Sequence, residues 1–487
     1  MAFHTTLKRL LALGVAAALG AILVEPAVAV PLFNRQTGQN CLACHAGGQF
    51  PELTPYGRLF KLTGYTLGER TVPISAMAVA SLSKVANTSK SDDPGADFQK
   101  NSKPLFATAS LFLGGKVTDN IGAFAQITYD PNAAQEPDGS FAGHTNADNI
   151  DLRYADRWID ERRDLIAGVS VNNNPSVSDP WNTAPAWFQY VPVPSPTSSQ
   201  FIDGNAPYPG YASGGNVAGL TAYAFWNRTV YAELGGYGTS RGLASFMSAG
   251  IAAADKTQLH GFNPYWRLAW NHEWGAHSLM LGTSGMNAKI YDDPLDTSDT
   301  ATLHDYRDRI VDAQYQYLLD PHSVTAQIAY AYRHHRYPDA LANQPVTFVD
   351  AAGNPLPATN ATDTTHVLRA KVTYVYQARY GGSIALFDLT GSTNSALQTS
   401  GFDPQTLTIT SDPNAAAPST RVTGNLSGNP ATRGWTLEAF WTPIQYLRVG
   451  AQYTGYTRFN GASTNYDGAG RDASANNTTY VLARFVF

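Results

Sequence analysis

Tyr446–Arg458 reads YLRVGAQYTGYTR, and its apolar and polar side chains alternate with a period of two. One set of alternate positions is apolar: Leu447, Val449, Ala451 and Tyr453. The other set is polar or small: Arg448, Gly450, Gln452 and Thr454. Because successive side chains of a β-strand point to opposite faces, this stretch predicts a strand with one apolar face and one polar face.

The same alternation recurs elsewhere in the chain. Around Ile121 the apolar set is Ile121, Ala123, Ala125, Ile127 and Tyr129, opposed to Gln126 and Thr128. Around His366 it is Leu368, Ala370, Val372, Tyr374 and Tyr376, opposed to Arg369, Lys371 and Thr373. Charges at alternate positions suit a wet lumen, while the apolar face meets lipid. A soluble β-sandwich also alternates, so the connections must separate the two classes.

The connections separate them by alternating between long and short. We expect about sixteen strands, starting near residues 74, 105, 121, 149, 164, 218, 229, 263, 276, 303, 322, 365, 381, 433, 446 and 475. Short periplasmic turns and long outer loops are typical of outer-membrane barrels. The fold class predicted is therefore all-β, a porin-like transmembrane β-barrel of about sixteen antiparallel strands over residues 73–487.

Aromatic residues support this prediction because they collect where strands run into short turns. The predicted girdle comprises Trp158, Trp226, Trp270, Trp274, Tyr315, Tyr317, Tyr374, Tyr376, Phe440 and Trp441. Aromatic girdles mark the membrane interfaces of such barrels. The last strand ends in Phe485-Val486-Phe487, which resembles the assembly signal of bacterial outer-membrane proteins.

Residues 1–29 have the organisation of a secretory signal peptide. Lys8 and Arg9 precede an apolar run from Leu10 to Val24, and Ala27-Val28-Ala29 is a typical cleavage site. We expect the mature chain to begin at Val30. The formal net charge of −5 and the lack of a basic stripe argue against a nucleic-acid partner.

Cys41-Leu42-Ala43-Cys44-His45 matches the CxxCH pattern of haem c attachment, and these are the only two cysteines among 487 residues. Two thiols on one helical turn can each bond a haem vinyl group, and His45 then becomes the proximal iron ligand. The alternatives are a local disulfide, a redox CxxC, or half of a zinc site. A structural zinc site normally needs four ligands, and no second CxxC exists.

A short helix should follow the haem motif. Thr54 is a good N-cap, Pro55 suits the first turn, and Gly64 suits the position just past the end. Tyr56, Leu59, Phe60 and Leu62 form an apolar face that we expect to contact the porphyrin. Arg58 and Lys61 are then left to face water or the haem propionates.

The haem segment, residues 30–72, is too short to fold and cover a porphyrin alone. We therefore expect it to pack against the inner wall of the barrel and partly plug the lumen. Met77 is the nearest methionine that could supply the distal iron ligand. His272, His277 and His322 are weaker candidates near predicted periplasmic turns.

Two acidic runs in predicted outer loops could concentrate a divalent cation at the mouth of the barrel. They are Asp92, Asp93 and Asp97, and Asp292, Asp293, Asp296 and Asp299. Acidic loops are also common in ordinary porins, so the sequence assigns no metal site here. No nucleophile, metal triad or phosphate loop stands out.

The segment from Phe33 to Thr66 resembles the fused cytochrome–porins. The resemblance rests on FNRQTG at Phe33–Gly38, the CxxCH motif, PELTPYGR at Pro51–Arg58 and KLTGYT at Lys61–Thr66. It implies one haem c at the periplasmic end of an outer-membrane barrel or inside it. It also implies electron transfer from an extracellular donor, with Fe(II) expected, to a periplasmic cytochrome or similar acceptor. The alternatives are a solute porin with a structural plug, or a haem conduit that uses another donor or exports electrons.

Overall fold

A computed structural model describes residues 32–48, 52–72, 74–87, 102–135, 141–173, 175–181, 217–248, 258–338, 360–394, 402–403, 408–409, 425–468 and 470–487. The predicted signal peptide (residues 1–29), its cleavage site at Val30 and the acidic run Asp92–Asp97 lie outside these ranges. No helix in the described parts of the chain has the length and hydropathy that a membrane-spanning helix requires.

Within the described ranges, sixteen strands pair antiparallel in a closed barrel, which confirms the predicted fold class. The barrel strands are β1 (Ile74–Val85), β2 (Pro104–Lys116), β3 (Ile121–Gln135), β4 (Phe141–Ile159), β5 (Asp164–Asn172), β6 (Val217–Trp226), β7 (Val230–Thr239), β8 (Asn263–Trp274), β9 (His277–Tyr291), β10 (Leu303–Leu319), β11 (His322–Arg336), β12 (Thr362–Tyr376), β13 (Tyr380–Gly391), β16 (Thr432–Ile444), β17 (Leu447–Arg458) and β18 (Thr478–Val486). Each pairs with its sequence neighbours in the barrel, and β1 closes it against β18. A separate pair joins β14 (Phe402–Asp403) to β15 (Thr408–Ile409).

Short helices lie between these strands or before them. They are α1 (Leu32–Thr37), α2 (Cys41–Cys44), α3 (Pro55–Leu62) and α4 (Pro175–Ser178), with 3₁₀ turns at Gly242–Met247 and Ala473–Asn476. The first three precede β1 and form the N-terminal segment, residues 32–72, which we call the plug. The fourth belongs to the connection between β5 and β6.

The period-two patterns place the expected side chains outside and inside the barrel. On β12, Leu368 is 41 % exposed whereas Arg369 is 1 % exposed. On β17, Val449 is 37 % exposed whereas Arg448 is 6 % exposed. Since the exposed set is apolar, it forms the lipid-facing surface of a transmembrane barrel.

Most aromatic residues of the predicted girdle are outward and exposed, including Trp158, Trp226, Trp270, Trp274 and Trp441. Phe440 is the exception, because it lies on the inward face of β16 and is 6 % exposed. The Arg448 guanidinium carbon lies 4.0 Å from the centre of its ring. Its assignment to the girdle was wrong, since its neighbour Trp441 occupies the outward position.

The lumen contains a packed core at the level of the plug. Leu62 of α3 and Trp181, which follows α4, are both completely buried and share a cluster with Ile166, Tyr223 and Tyr231. The Trp181 and Tyr231 rings meet edge to face, with centroids 5.5 Å apart. The plug and the β5–β6 connection therefore meet inside the barrel.

Candidate cofactor-attachment site

The CxxCH motif forms a single capped helical turn. The Asn40 side-chain oxygen accepts a hydrogen bond from the Ala43 amide at 3.1 Å, which caps α2. The His45 amide donates to the Cys41 carbonyl oxygen at 2.8 Å, and His45 itself has extended dihedral angles. The turn therefore presents two thiols in succession and ends at the histidine.

Both thiols are free in the structure and partly exposed, so no disulfide joins them. Burial raises the pKa of the Cys41 thiol and raises that of Cys44 to about 11. The Asn34 amide nitrogen lies 3.6 Å from the Cys41 sulfur, which ties α1 to α2. Neutral thiols are thus the prevailing form at neutral pH in the chain without a cofactor.

A cavity of about 170 Å³ opens beside Cys41 at the rim of the barrel. It is lined by Asn40, Cys41, Leu42 and Gly48, by the turn after β12 (residues 377–379) and by the end of β16 with the residue that follows it (residues 442–445). Enclosed small-molecule pockets measure roughly 300–1,000 Å³, so this is a shallow site at the rim. The donor set of two thiols and an adjacent imidazole fits covalent haem c.

Helix α3 rests directly on the backbone of α2. The Thr54 amide donates to the Cys44 carbonyl oxygen at 2.9 Å, and the Thr54 hydroxyl bonds the Ala43 carbonyl oxygen. Thr54 also caps α3 by accepting from the Gly57 amide at 3.1 Å, as predicted. A Cβ atom at Gly57 would overlap the Cys44 carbonyl oxygen, so glycine permits this close approach.

Two residues of the apolar face of α3, Phe60 and Leu62, contact protein rather than being free to line a porphyrin, whereas porphyrin contact by Tyr56 and Leu59 stays a prediction. Phe60 packs against Phe33 and Tyr65, with ring centroids 4.9 Å and 5.8 Å away. Leu62 enters the buried cluster around Trp181. The physical reason is that the barrel wall and the β5–β6 connection supply apolar side chains at this level of the lumen.

Arg58 is buried, contrary to the expectation that it faces water or propionates. Its guanidinium donates to Glu273 at 3.0 Å, to Gln316 at 3.0 Å and to Ser278 at 2.8 Å. Burial lowers the pKa of Arg58 to about 10, and the Glu273 carboxylate opposes that shift. Arg58 is therefore charged at neutral pH and joins the plug to β8, β9 and β10.

Lys61 is buried as well, and its ammonium donates to the Asp179 carbonyl oxygen at 2.7 Å. Burial lowers the pKa of Lys61 to about 8, and the neighbouring Arg153 charge adds to that shift. The Lys61 side chain therefore hydrogen-bonds the connection between β5 and β6. Its expected exposure was wrong because Asp179 folds into the lumen.

Two further contacts join the plug to the barrel wall. Glu52 forms a buried ion pair with Lys371 of β12 at 2.5 Å, and the Tyr65 hydroxyl donates to Asp151 of β4 at 2.5 Å. At the edge of the plug, the Gln36 side-chain oxygen accepts from the Lys116 amide of β2 at 3.1 Å. The plug thus contacts the wall on several sides of the barrel.

Met77 lies on the inward-facing set of β1 with Ser75 and Val79. In register it pairs with Ser110 of β2 and Val486 of β18, close to the end where the plug joins the barrel. The side chain therefore points to the lumen. Its role as distal ligand stays a prediction.

The three histidines proposed as weaker ligands face outward. His272 stacks between Trp270 and Trp274, at centroid distances of 5.7 Å and 5.2 Å. His277 bonds the Tyr315 hydroxyl at 2.7 Å, and His322 bonds the Tyr374 hydroxyl at 2.8 Å. These assignments were wrong, because strand alternation puts all three in the outer aromatic girdle.

The second acidic run splits into two kinds of residue. Asp293, Asp296 and Asp299 accept hydrogen bonds from backbone amides of their own loop. Asp292 instead bonds His304 of β10, with 2.9 Å between Oδ1 and Nε2. Sequence reasoning missed His304 and its neighbour His335, because the two are far apart in the chain. Among the described residues, no group of three or more His, Cys, Asp or Glu side chains could hold a metal ion.

No protein-family model matches this sequence, and no curated protein matches it. Among solved structures, the outer membrane channel DcaP of Acinetobacter baumannii is similar at 11 % identity and a TM-score of 0.43, over 85 % of this chain and 96 % of that one. OprB of Pseudomonas putida matches at 11 % identity and a TM-score of 0.43, over 89 % of this chain and 96 % of that one. OmpT of Vibrio cholerae matches at 9 % identity and a TM-score of 0.42, over 86 % and 99 %. Since these similarities are low, the fold assignment rests on the strand pairing.

Proposed function

We propose that this chain is a bacterial outer-membrane electron conduit of the fused cytochrome–porin type. One haem c would be attached to Cys41 and Cys44, with His45 as its proximal ligand. The observation that carries the proposal is the capped turn that presents the two thiols and ends at the histidine, with Cys41 lining a cavity at the barrel rim. Electrons would pass from an extracellular donor, expected to be Fe(II), to a periplasmic cytochrome or similar acceptor.

The position of the cavity supports a periplasmic exit for the electron. The cavity lies beside the short β12–β13 and β16–β17 turns, and short turns lie on the periplasmic side of outer-membrane barrels. The haem supplies one-electron chemistry when bound. The chain holds the attachment turn in place through Thr54 and through the Arg58 and Glu52 contacts with the wall. Its shallow cavity leaves space for an acceptor to approach.

The opposite mouth of the barrel is far from this rim. On β10, His304 lies near the outer end and Leu319 lies at the short-turn end. At about 3.4 Å per residue and a strand tilt of about 40°, fifteen residues span roughly 39 Å along the barrel axis. The donor, or its electron, must therefore cross the lumen to reach the haem.

A second candidate function is passive diffusion of small solutes, with the plug as a structural element. One observation favours it: small hydroxyl side chains line part of the inner wall. The Ser110 and Thr128 hydroxyl oxygens are 2.7 Å apart, and those of Thr436 and Thr454 are 3.0 Å apart. A polar wall of this kind suits a water-filled path. A conduit using another donor, or one that exports electrons, would share the haem but differ in its substrate.

Purification from a host that matures c-type cytochromes tests the proposal. We expect the protein in the outer membrane, a Soret band, and haem that survives denaturing electrophoresis. Anaerobic Fe(II) should then produce the reduced α-band. The matched control, Cys41→Ala with Cys44→Ala, should assemble as a barrel without haem.

The outcomes separate the candidates. A folded wild-type barrel without a Soret band overturns the conduit and leaves the diffusion channel. A haem that dithionite reduces and Fe(II) does not overturns Fe(II) as the donor.

A further inference from the structure

A pair of histidines lies at the outer mouth of the lumen. His304 of β10 and His335 of β11 both belong to inward-facing sets, and His304 Nδ1 lies 2.8 Å from His335 Nε2. Asp292, from the connection after β9, lies 2.9 Å from the other nitrogen of His304. The three side chains therefore form a row from the acidic loop into the barrel.

The hydrogen-bonding roles in this row follow from the carboxylate. An ionised Asp292 only accepts, so His304 Nε2 carries a proton and His304 Nδ1 presents a lone pair. His335 Nε2 lies against that lone pair. The other nitrogen, His335 Nδ1, is buried without a hydrogen-bond partner among the described residues, and His335 is only 4 % exposed. A buried imidazole nitrogen without a partner carries a free-energy cost.

We propose that His304 Nδ1 and His335 Nε2 bind one divalent first-row transition-metal cation between them, with the proton of His335 moving from Nε2 to Nδ1. Nitrogen ligands about 2.0–2.1 Å from an ion, at a right angle to each other, lie about 2.9 Å apart. The observed separation of 2.8 Å matches neighbouring positions of an octahedral or square-planar ion. Water would fill the other positions. Two protein ligands also agree with the lack of any preformed three-residue group in the described residues.

Asp292 takes the role of a carboxylate that orients a metal-binding histidine. Such a carboxylate accepts the other ring N–H, fixes the tautomer and makes the ligand more basic. The Asp292–His304 contact has this arrangement, and the Asp292 side chain is 28 % exposed at the mouth. A cation can thus enter along the acidic loop, whose other carboxylates raise its local concentration.

Neighbouring rings hold His335 in position. Tyr306 stacks on it with a centroid distance of 4.0 Å and an interplanar angle of 11°. The Tyr337 ring centre also lies 4.0 Å away, and its hydroxyl donates to Asp363 at 2.7 Å. The nearby Arg333 charge is paired with Asp308 at 2.8 Å, which reduces its repulsion of a cation. The site is therefore preorganised on rigid strands.

The site deepens the proposed function by naming where a divalent donor such as Fe(II) first binds, and to that extent it rests on that proposal. Binding itself needs no haem. The experiment therefore uses the full chain in two forms, with haem and as Cys41→Ala/Cys44→Ala. Co(II), which is next to Fe(II) in the usual affinity order, is the probe in equilibrium dialysis, followed by anaerobic competition with Fe(II).

We expect the protein to bind one equivalent of Co(II). His304→Gln or His335→Gln should lower the Co(II) affinity at least tenfold. Asp292→Asn should weaken it by about 10- to 100-fold. The matched control is His260→Gln, because His260 lies near the same mouth and bonds the Tyr291 hydroxyl at 2.7 Å, but forms no histidine pair among the described residues. Its Co(II) affinity should be unchanged.

A second measurement on unmodified protein guards against variants that fail to fold. Co(II) should protect His304 from diethylpyrocarbonate, with the modified residues read by mass spectrometry. Equal Co(II) affinity in folded His304→Gln and wild type, or no protection of His304, overturns the site. If only the Soret band is absent, the electron-conduit function is overturned and the cation site is not. If Co(II) binds and Fe(II) does not compete with it, only the identification of Fe(II) as the ligand is overturned.

Discussion

Met77 is the residue whose position gives the distal-ligand hypothesis a direct test. It faces the lumen on β1 next to the plug, whereas His272, His277 and His322 face lipid. Since a methionine ligand raises the potential of haem iron, Met77→Leu should lower the midpoint potential of the haem protein and alter its oxidised visible spectrum. Spectroelectrochemistry of the purified protein measures both.

His272→Gln is the matched control for Met77, because it also replaces a candidate ligand but lies on the outer surface. Its spectrum and potential should equal those of the wild type. An unchanged spectrum in Met77→Leu would remove Met77 from the iron.

At the same scale, the sequence predicts the attachment residues but not the anchors of the plug. The CxxCH motif and the Thr54 cap can be recognised locally, because haem attachment and helix capping each need particular residues at a fixed spacing in the chain. Arg58 and Lys61 bond Glu273 and Asp179, which lie more than a hundred positions away. Only the closure of the barrel brings such partners together, so their burial could not be read from helix pattern alone.

Helices α2 and α3 form one unit because Gly57 lies against the Cys44 carbonyl oxygen. Gly57→Ala should push α3 away from the attachment turn, at a cost of about 1–3 kcal/mol for overpacking. We expect less covalent haem per barrel in this variant. The ratio of Soret absorbance to total protein measures it.

Gly450→Ala serves as the control, because a Cβ there meets its nearest neighbours at 3.5–3.7 Å, an ordinary contact distance. Its haem content should match the wild type. A Gly57→Ala protein with full haem content would show that the close contact of α3 with α2 does not govern attachment.

Among the strands, alternation and turn length predict every start to within three residues except one. The exception is β4, which begins at Phe141 although the sequence predicts a start near residue 149. The polar stretch before residue 149 resembles a loop, yet it pairs with β3, as in the pairing of Thr145 with Tyr129. Cross-strand pairing outweighs strand propensity there.

At the scale of the whole molecule, the plug should restrict passage through the barrel. Glu52 and Lys371 form a buried ion pair between the plug and β12. Glu52→Gln leaves the Lys371 charge without that carboxylate, and breaking such a pair costs about 3–5 kcal/mol. We expect higher single-channel conductance in planar bilayers than for the wild type.

Asp388→Asn provides the comparison, since it breaks the exposed Arg433–Asp388 pair of 2.6 Å. Exposed ion pairs contribute only about 0–1 kcal/mol, so its conductance should not change. Equal conductance in Glu52→Gln and wild type would mean that this ion pair does not keep the plug closed.

The lysine that joins the plug to the β5–β6 connection also links that connection to the helix that contacts the CxxCH turn. Asp179 belongs to the connection between β5 and β6, while Lys61 lies in the last turn of α3, the helix whose start contacts the turn that carries Cys44. The same connection is also bonded to the wall, because Arg153 donates to the Ser178 carbonyl oxygen at 2.7 Å and Arg267 pairs with Asp179 at 3.3 Å. A displacement of this connection would therefore be shared between the plug and the barrel wall.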